Sequence, residues 1–203
     1  MAAGQSIFRA DEPLGGVYFP ETAVFALLAH LNDGEMLDVA LVGKDGIAGV
    51  AMLPGVNAMP CDAGVEIGGV ALRVNADALK EVVRQSPLLH ELLGRYAYSL
   101  FASGVQTAAC NNFRPVRKRL ARWLLMTHDL VDGEEFPITQ NLLGTMLGVH
   151  RPSVTIAARA LQVAGVIDYR HGRMKIRNRR LLEAASCDCY RAMRDEQHRL
   201  LGY

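Results

Sequence analysis

The stretch "LGVHRPSVT", Leu147 to Thr155, sets a glycine, a histidine, an arginine and a proline between two segments of helical spacing. Upstream, Thr139 can cap a short helix whose apolar side is Leu142, Leu143, Met146 and Leu147, with Gly144 leaving space for a second helix to cross closely. Gly148 ends that helix, because a sharp left-handed bend is reached by glycine without a side-chain clash. Val149 plugs the corner. His150 and Arg151 begin the next helix, and Pro152 sits in its first turn, where proline is tolerated. Val154, Ala157, Ala158 and Leu161 face inward, which leaves Arg151, Ser153, Thr155 and Arg159 outside. Two helices joined in this way predict a helix-turn-helix, a unit that lays the start of its second helix against base edges in the major groove. Arginine suits that position because its fork matches the paired acceptors of guanine, while Ser153 and Thr155 can reach phosphate or a thymine methyl.

Directly after this unit, "VIDYRHGRMKI" holds two β-prone runs joined at His171-Gly172 and carrying Arg170, Arg173 and Lys175. That is a basic hairpin, or wing. Before the unit, "VRKRLARWLLMTHDL", Val116 to Leu130, reads as an amphipathic helix with Leu120, Trp123, Leu124 and Met126 or Thr127 buried. Arg117, Lys118, Arg119 and Arg122 are expected to face water or a partner.

Charge divides the chain in the same sense. Residues 1 to 112 carry 6 Lys and Arg against 12 Asp and Glu, net −6, whereas residues 113 to 203 carry 16 against 9, net +7. A basic second half suits a polyanionic partner or a merely solvated surface. Half of the 203 residues are hydrophobic and 21% charged, values of a globular chain and not of a disordered one. The apolar runs are short and interrupted, and the first twenty residues lack a basic start followed by an apolar block, so neither a membrane span nor an export signal is expected.

The four cysteines, Cys61, Cys110, Cys187 and Cys189, are few for this length and indicate a reducing cytoplasm without disulfides. Cys187 and Cys189 are too close for zinc-knuckle spacing, with no second pair at metal-site distance. Cys61 and Cys110 read as small buried residues. Four thiolates able to converge on an iron-sulfur cluster are not evident. No metal and no cofactor are expected.

The acidic half alternates β-prone runs with turn signals from Val17 to Val74, the pattern of an antiparallel sheet. "VFALLAHL" and "EMLDVALVG" flank Asn32-Asp33-Gly34, and further turns are expected at Lys44-Asp45-Gly46, Leu53-Pro54-Gly55, Asp62-Ala63-Gly64 and Gly68-Gly69. Turns about every ten residues suit a jelly roll or small barrel. A metal-binding enzyme on such a roll needs several histidines, and only His30 lies in the strand region. No nucleophile elbow, zinc-protease or phosphate-loop motif occurs, so catalysis is not expected.

Asn75 can cap a short helix over Asp77 to Arg84, and Ser86-Pro87 opens a longer one reaching about Asn111. Along it Leu89, Leu93, Tyr96, Leu100, Ser103, Thr107 and Cys110 follow alternating steps of four and three. This stripe is expected to form a dimer seam; its alternative is packing on the chain's own roll.

The order β-roll, long helix, winged helix-turn-helix, with the stretches "VYFPE", "QTAACNNF", "RLARWLL", "PITQNLLGTMLGVHRPSV" and "AASCDCY", resembles the Crp/Fnr family of bacterial transcription regulators over nearly the whole chain. The resemblance implies that Arg151 takes the place of the family's guanine-reading arginine and Thr139 that of a phosphate contact. Three departures stand beside it. Pro152 replaces a base-reading glutamate and Ile156 a second arginine, so the operator does not carry over. "GIAGVAMLPGVNAMPCDAG", Gly46 to Gly64, lacks the glutamate and the Arg-Ser pair that hold cyclic AMP, which is therefore not expected as effector. The family's usual first helix and first strand also have no evident counterpart, implying either a misplaced start or an N-terminally shortened roll.

The expected architecture is α+β. It comprises an antiparallel, jelly-roll-like β-roll akin to cyclic-nucleotide-binding domains over residues 1–85, a dimerisation helix over 86–112, and a winged helix-turn-helix over 113–203. The expected function is a cytoplasmic homodimeric regulator reading palindromic double-stranded DNA through Thr139, His150, Arg151, Ser153, Thr155, Arg159, Arg170, Arg173 and Lys175, with RNA polymerase as partner if it activates. Its alternative is a ligand-binding roll whose C-terminal domain makes protein contacts without DNA.

Overall fold

A computed structural model describes residues 1–31, 36–52 and 56–202. Among the described residues six strands make the N-terminal part: β1 (Ser6–Phe8), β2 (Gly16–Pro20), β3 (Val24–His30), β4 (Met36–Val42), β5 (Asp62–Ile67) and β6 (Ala71–Asn75). They form an antiparallel sheet of order β1-β5-β3-β4 and a second pair β2-β6, the expected β-roll. The β3–β4 pairing runs from Phe25 opposite Val42 to His30 opposite Met36. The connecting residues Asn32-Asp33-Gly34, like Leu53-Pro54-Gly55, lie outside the described residues.

Two turn expectations are corrected. Asp62-Ala63-Gly64 is strand, not turn: Ala63 is buried in the roll core opposite Leu27, and Asp62 accepts a hydrogen bond from Ala10 N at 2.7 Å and pairs with His30 at 2.8 Å. Lys44-Asp45-Gly46 does turn, with Gly46 N donating to Gly43 O, but it closes no hairpin, because the chain beyond it bridges Ala48 to Tyr18 of β2. Gly46 has no positive φ; it is small because a Cβ there would collide with the Tyr96 ring and hydroxyl.

Helix α1 (Ala76–Gln85) starts at Asn75, whose side chain accepts from Asp77 N and Ala78 N. Helix α2 (Pro87–Phe113) is capped by Ser86, and its 27 residues span about 40 Å. Then follow α3 (Val116–Leu130), β7 (Glu135–Pro137), α4 (Gln140–Leu147), α5 (Arg151–Val163), β8 (Ile167–Arg170), β9 (Arg173–Ile176), α6 (Arg179–Ala185) and α7 (Asp188–Leu201). Strands β7, β9 and β8 form a three-stranded wing in that order.

Strand β3 joins the two halves. Phe25 and Leu27 point into the roll core with Ala40, Val42, Met59, Cys61 and Val65. Val24, Ala26 and Leu28 point the other way and share a cluster with Leu120, Trp123, Leu124, Leu143 and Leu147. Because successive side chains leave a strand on opposite faces, a strand covered on both sides reads as an unbroken apolar run. A polar tie reinforces the junction: Trp123 Nε1 donates to the buried Asp38 of β4 at 2.9 Å.

The seam proposed along α2 is corrected in its direction. Leu93 and Tyr96 are buried on the roll with Val17, Ile47 and Leu79, and Leu89 and Leu100 pack partly against the same cluster. Ser103 faces α3 and α7 in a cleft that also contains Met126 and Met193. Thr107 meets Arg122, and Cys110 meets Cys187. The stripe therefore packs on its own chain. A different apolar face of α2 is open, carrying Leu92, Tyr98, Phe101 and Val105.

Candidate nucleic-acid interface

The bend at Gly148 is built as its sequence demands. Thr139 caps α4 by accepting from Leu142 N at 3.2 Å, and Gly148 closes the helix in the left-handed region, φ 56° and ψ 47°. A Cβ on Gly144 would lie 2.9 Å from the carbonyl of Val149, so the glycine makes room for the turn backbone more than for the second helix. A second constraint acts at Gly148: a Cβ there would lie 2.9 Å from Leu37 Cδ1 of β4. The roll thus packs directly on the bend.

Helix α5 begins after His150, which stands in extended conformation without a side-chain cap. Val154, Ala157, Ala158 and Leu161 are buried, while Arg151, Thr155 and Arg159 are exposed and Ser153 is half-buried. Gln140, in the first turn of α4, links the two helices: its Oε1 accepts from Arg151 Nε at 3.3 Å and from the Thr155 hydroxyl at 3.0 Å. Nothing in the sequence singled out Gln140, since a residue just past a cap has no distinguishing spacing. A groove beside the bend is lined by Met36, Asn141, Gly148, His150, Arg151 and Ser153.

The wing turns at His171 and Gly172, with φ of 50° and 74°, the paired positive values of a tight two-residue hairpin. Its basic residues are engaged with acids of the same chain. Arg170 and Arg177 hold Asp168 at 2.9 and 2.8 Å, and the hydrogen bond from Arg177 keeps that carboxyl below its ordinary range. Arg173 pairs with Glu135, and Lys175 lies 3.7 Å from Glu134. Both acids come from the segment of β7, a strand too short to be legible in the sequence.

Two residues expected to face water on α3 are buried. Arg119 and Arg122 are 7% and 3% exposed, because the C-terminal end of α2 and helix α7 cover that face. Arg119 donates to the carbonyls of Asn111 (3.2 Å) and Leu147, tying α2 to the helix before the bend. Burial lowers the pKa of its guanidinium. Arg122 donates to Thr107 Oγ1 at 3.2 Å and lies 3.4 Å from the sulfurs of Met126 and Met193. These two arginines hold helices together.

The cysteines are placed differently from their spacing. Cys110, Cys187 and Cys189 come together at the junction of α2 and α7, while Cys61 stays in the roll core. The C-x-C pair thus has a thiol partner that only the fold supplies.

Residues 118–185 match the Crp-like helix-turn-helix domain, covering both helices of the bend and the wing. The chain carries a Crp-like helix-turn-helix domain on a Crp/Fnr fold. The fold of this Crp-like protein is shared with FixK2 from Bradyrhizobium japonicum, at 18% identity over 92% of this chain and 94% of that one, TM-score 0.78. It is shared as well with TTHB099, a transcriptional regulator of the CRP family from Thermus thermophilus, at 18% identity over 92% and 95%, TM-score 0.74. CLP, a c-di-GMP responsive global regulator of Xanthomonas campestris, is 16% identical over 88% of this chain and 92% of its own, TM-score 0.68. No curated protein sequence matches significantly. Residues 118–185 thus form a Crp-like helix-turn-helix domain, and the chain has the fold of the Crp/Fnr regulators to which it is similar. Among the described residues no helix is long and apolar enough to cross a membrane.

Proposed function

We propose that this Crp-like protein is a homodimer that reads a palindromic DNA site, each copy placing the start of α5 in the major groove. The observation that carries the reading is the exposed Arg151 at the first position of α5, held by Gln140 immediately beyond the left-handed Gly148. Arg151 donates to a guanine edge, with Thr155 and Arg159 along the same groove and His150 and Ser153 at its rim. Thr139 and the wing residues Arg170, Arg173 and Lys175 supply phosphate contacts, the wing residues exchanging intramolecular carboxylates for phosphates on binding.

Dimerisation uses the open face of α2. Gly94, Tyr98, Phe101, Val105 and Ala108 follow steps of four, three, four and three, the spacing of a two-helix seam. Tyr98, Phe101 and Val105 are each more than half exposed, too much apolar surface on one helix to leave in water.

The roll is not a cyclic AMP receptor on this reading. Its described interior is apolar, and among the described residues no arginine or lysine is buried on its strands to hold a phosphate. The nearby cation Arg73 is engaged with Gly15 O at 2.9 Å and lies over the Tyr18 ring. If the protein activates, RNA polymerase is its further partner.

A mobility shift on a palindromic promoter fragment tests the reading. The wild-type chain should bind specifically and the Arg151→Ala variant should lose that specificity. A chain that binds no DNA in either form would instead be a ligand-binding roll with a protein-contacting C-terminal domain.

A further inference from the structure

We propose that Cys110, Cys187 and Cys189 form a closed three-sulfur site for one soft cation, with monovalent copper the ion best matched to it. The three sulfurs lie within 4.8 Å of one another, and those of Cys110 and Cys187 are 3.5 Å apart. A metal bonded to three thiolates at about 2.3 Å in a plane sets the sulfurs about 4.0 Å apart, so the cluster needs only small shifts to close on an ion. The local fold explains the convergence. Cys110 lies in the last turn of α2, whereas Cys187 is the extended residue that opens α7 and Cys189 sits in its first turn. All three are buried and form a small cluster of their own, with no aliphatic side chain among its members.

Cationic side chains surround the three sulfurs. Arg114 reaches Cys189, and the guanidinium groups of Arg119 and Arg122 lie close enough to Cys110 to interact with it. Three nearby guanidiniums offset the charge that three thiolates and a monovalent ion would leave.

The donor set selects among ions. Sulfur ligands take soft cations, and no histidine or carboxylate among the described residues joins the group. Zinc in a closed protein site takes four ligands, whereas three sulfurs satisfy monovalent copper. A disulfide would use two of the sulfurs and leave the third unexplained. Access is at hand, because a surface groove lined by Ser186, Cys187, Asp188 and Arg191 reaches the cluster. Binding exchanges thiol protons for the ion and transfers no electron. The site stands independently of DNA binding.

The test is an anaerobic titration of the reduced full-length protein against monovalent copper held by a chromophoric chelator. The wild type should withdraw one copper per chain, and X-ray absorption of the loaded protein should show three sulfur neighbours. Cys61→Ala should behave as wild type, while Cys110→Ala and Cys187→Ser should lose that copper while keeping wild-type circular dichroism. Failure of the wild type to take copper, a copper with only one or two sulfur neighbours, or retention of that copper by a folded Cys187→Ser chain would overturn the proposal. If the variants do not fold, the absorption spectrum of the wild type decides alone.

Discussion

Gly148 meets two demands at once. Its left-handed backbone costs a residue with a Cβ about 1–2 kcal/mol, and the Leu37 methyl leaves that Cβ no room. Gly148→Ala should therefore lower the urea midpoint by the equivalent of about 2 kcal/mol or more; an unchanged midpoint would show that the bend relaxes freely. Arg151 makes the opposite case, a residue that on the proposed function contributes little to folding and much to reading. Arg151→Ala should leave the midpoint within about 0.5 kcal/mol and weaken binding to a guanine-containing site by about 1–3 kcal/mol, as fluorescence anisotropy would report. Gln140 acts through Arg151, so its loss should cost less affinity than loss of the arginine. The arginine was legible in the sequence because the glycine fixes its place. Gln140 was not, because side-chain contact between two helices has no local signature.

At the scale of elements, α2 shows how a periodic stripe can be read correctly as buried and wrongly as to its neighbour. The same three-and-four spacing serves a dimer seam and a helix packed on its own roll; α2 packs one such face on the roll and leaves another exposed. Phe101→Glu should shift the sedimenting species toward monomer while keeping helical content, since the side chain is 67% exposed in the single chain. A dimer undisturbed by this change would place the seam elsewhere. The wing makes a separate prediction. Arg173 is held by Glu135 in the free protein, and its replacement by alanine should reduce the dependence of log affinity on log salt by about one. A slope that does not move would mean that Arg173 stays with its carboxylate on DNA.

For the molecule as a whole, the roll and the DNA-binding domain share one core, and buried acids lie beside their junction. Burial raises the Asp38 carboxyl to about 6 and the Glu66 carboxyl to about 8, with the Asp38 charge adding to the latter. One oxygen of each carboxylate is buried without a partner. The ordinary values, 3.8 and 4.5, apply to the unfolded chain, so between these and the raised values the folded state binds more protons. Stability from these groups is therefore greatest below about pH 4 and falls as pH rises to about 8, where the full penalty of burying both charges is reached. Glu66→Gln should flatten that decline and raise stability at pH 8 by a few kcal/mol, measured as urea midpoints across pH. A variant no more stable at pH 8 than the wild type would show that water or a cation already reaches Glu66.

The sequence by itself determined the order of roll, long helix and winged helix-turn-helix, the caps at Asn75, Ser86 and Thr139, the left-handed bend at Gly148 and the exposure of Arg151. Each of these follows from backbone sterics or from periodicity within a few neighbouring residues. The tertiary structure decided which face of α2 is covered, that Arg119 and Arg122 are interior, that Arg173 and Lys175 of the wing meet carboxylates from the β7 segment, and that Cys110 joins Cys187 and Cys189. Those outcomes depend on which helix lies against which, and residues 77 positions apart meet only because α7 packs along α2.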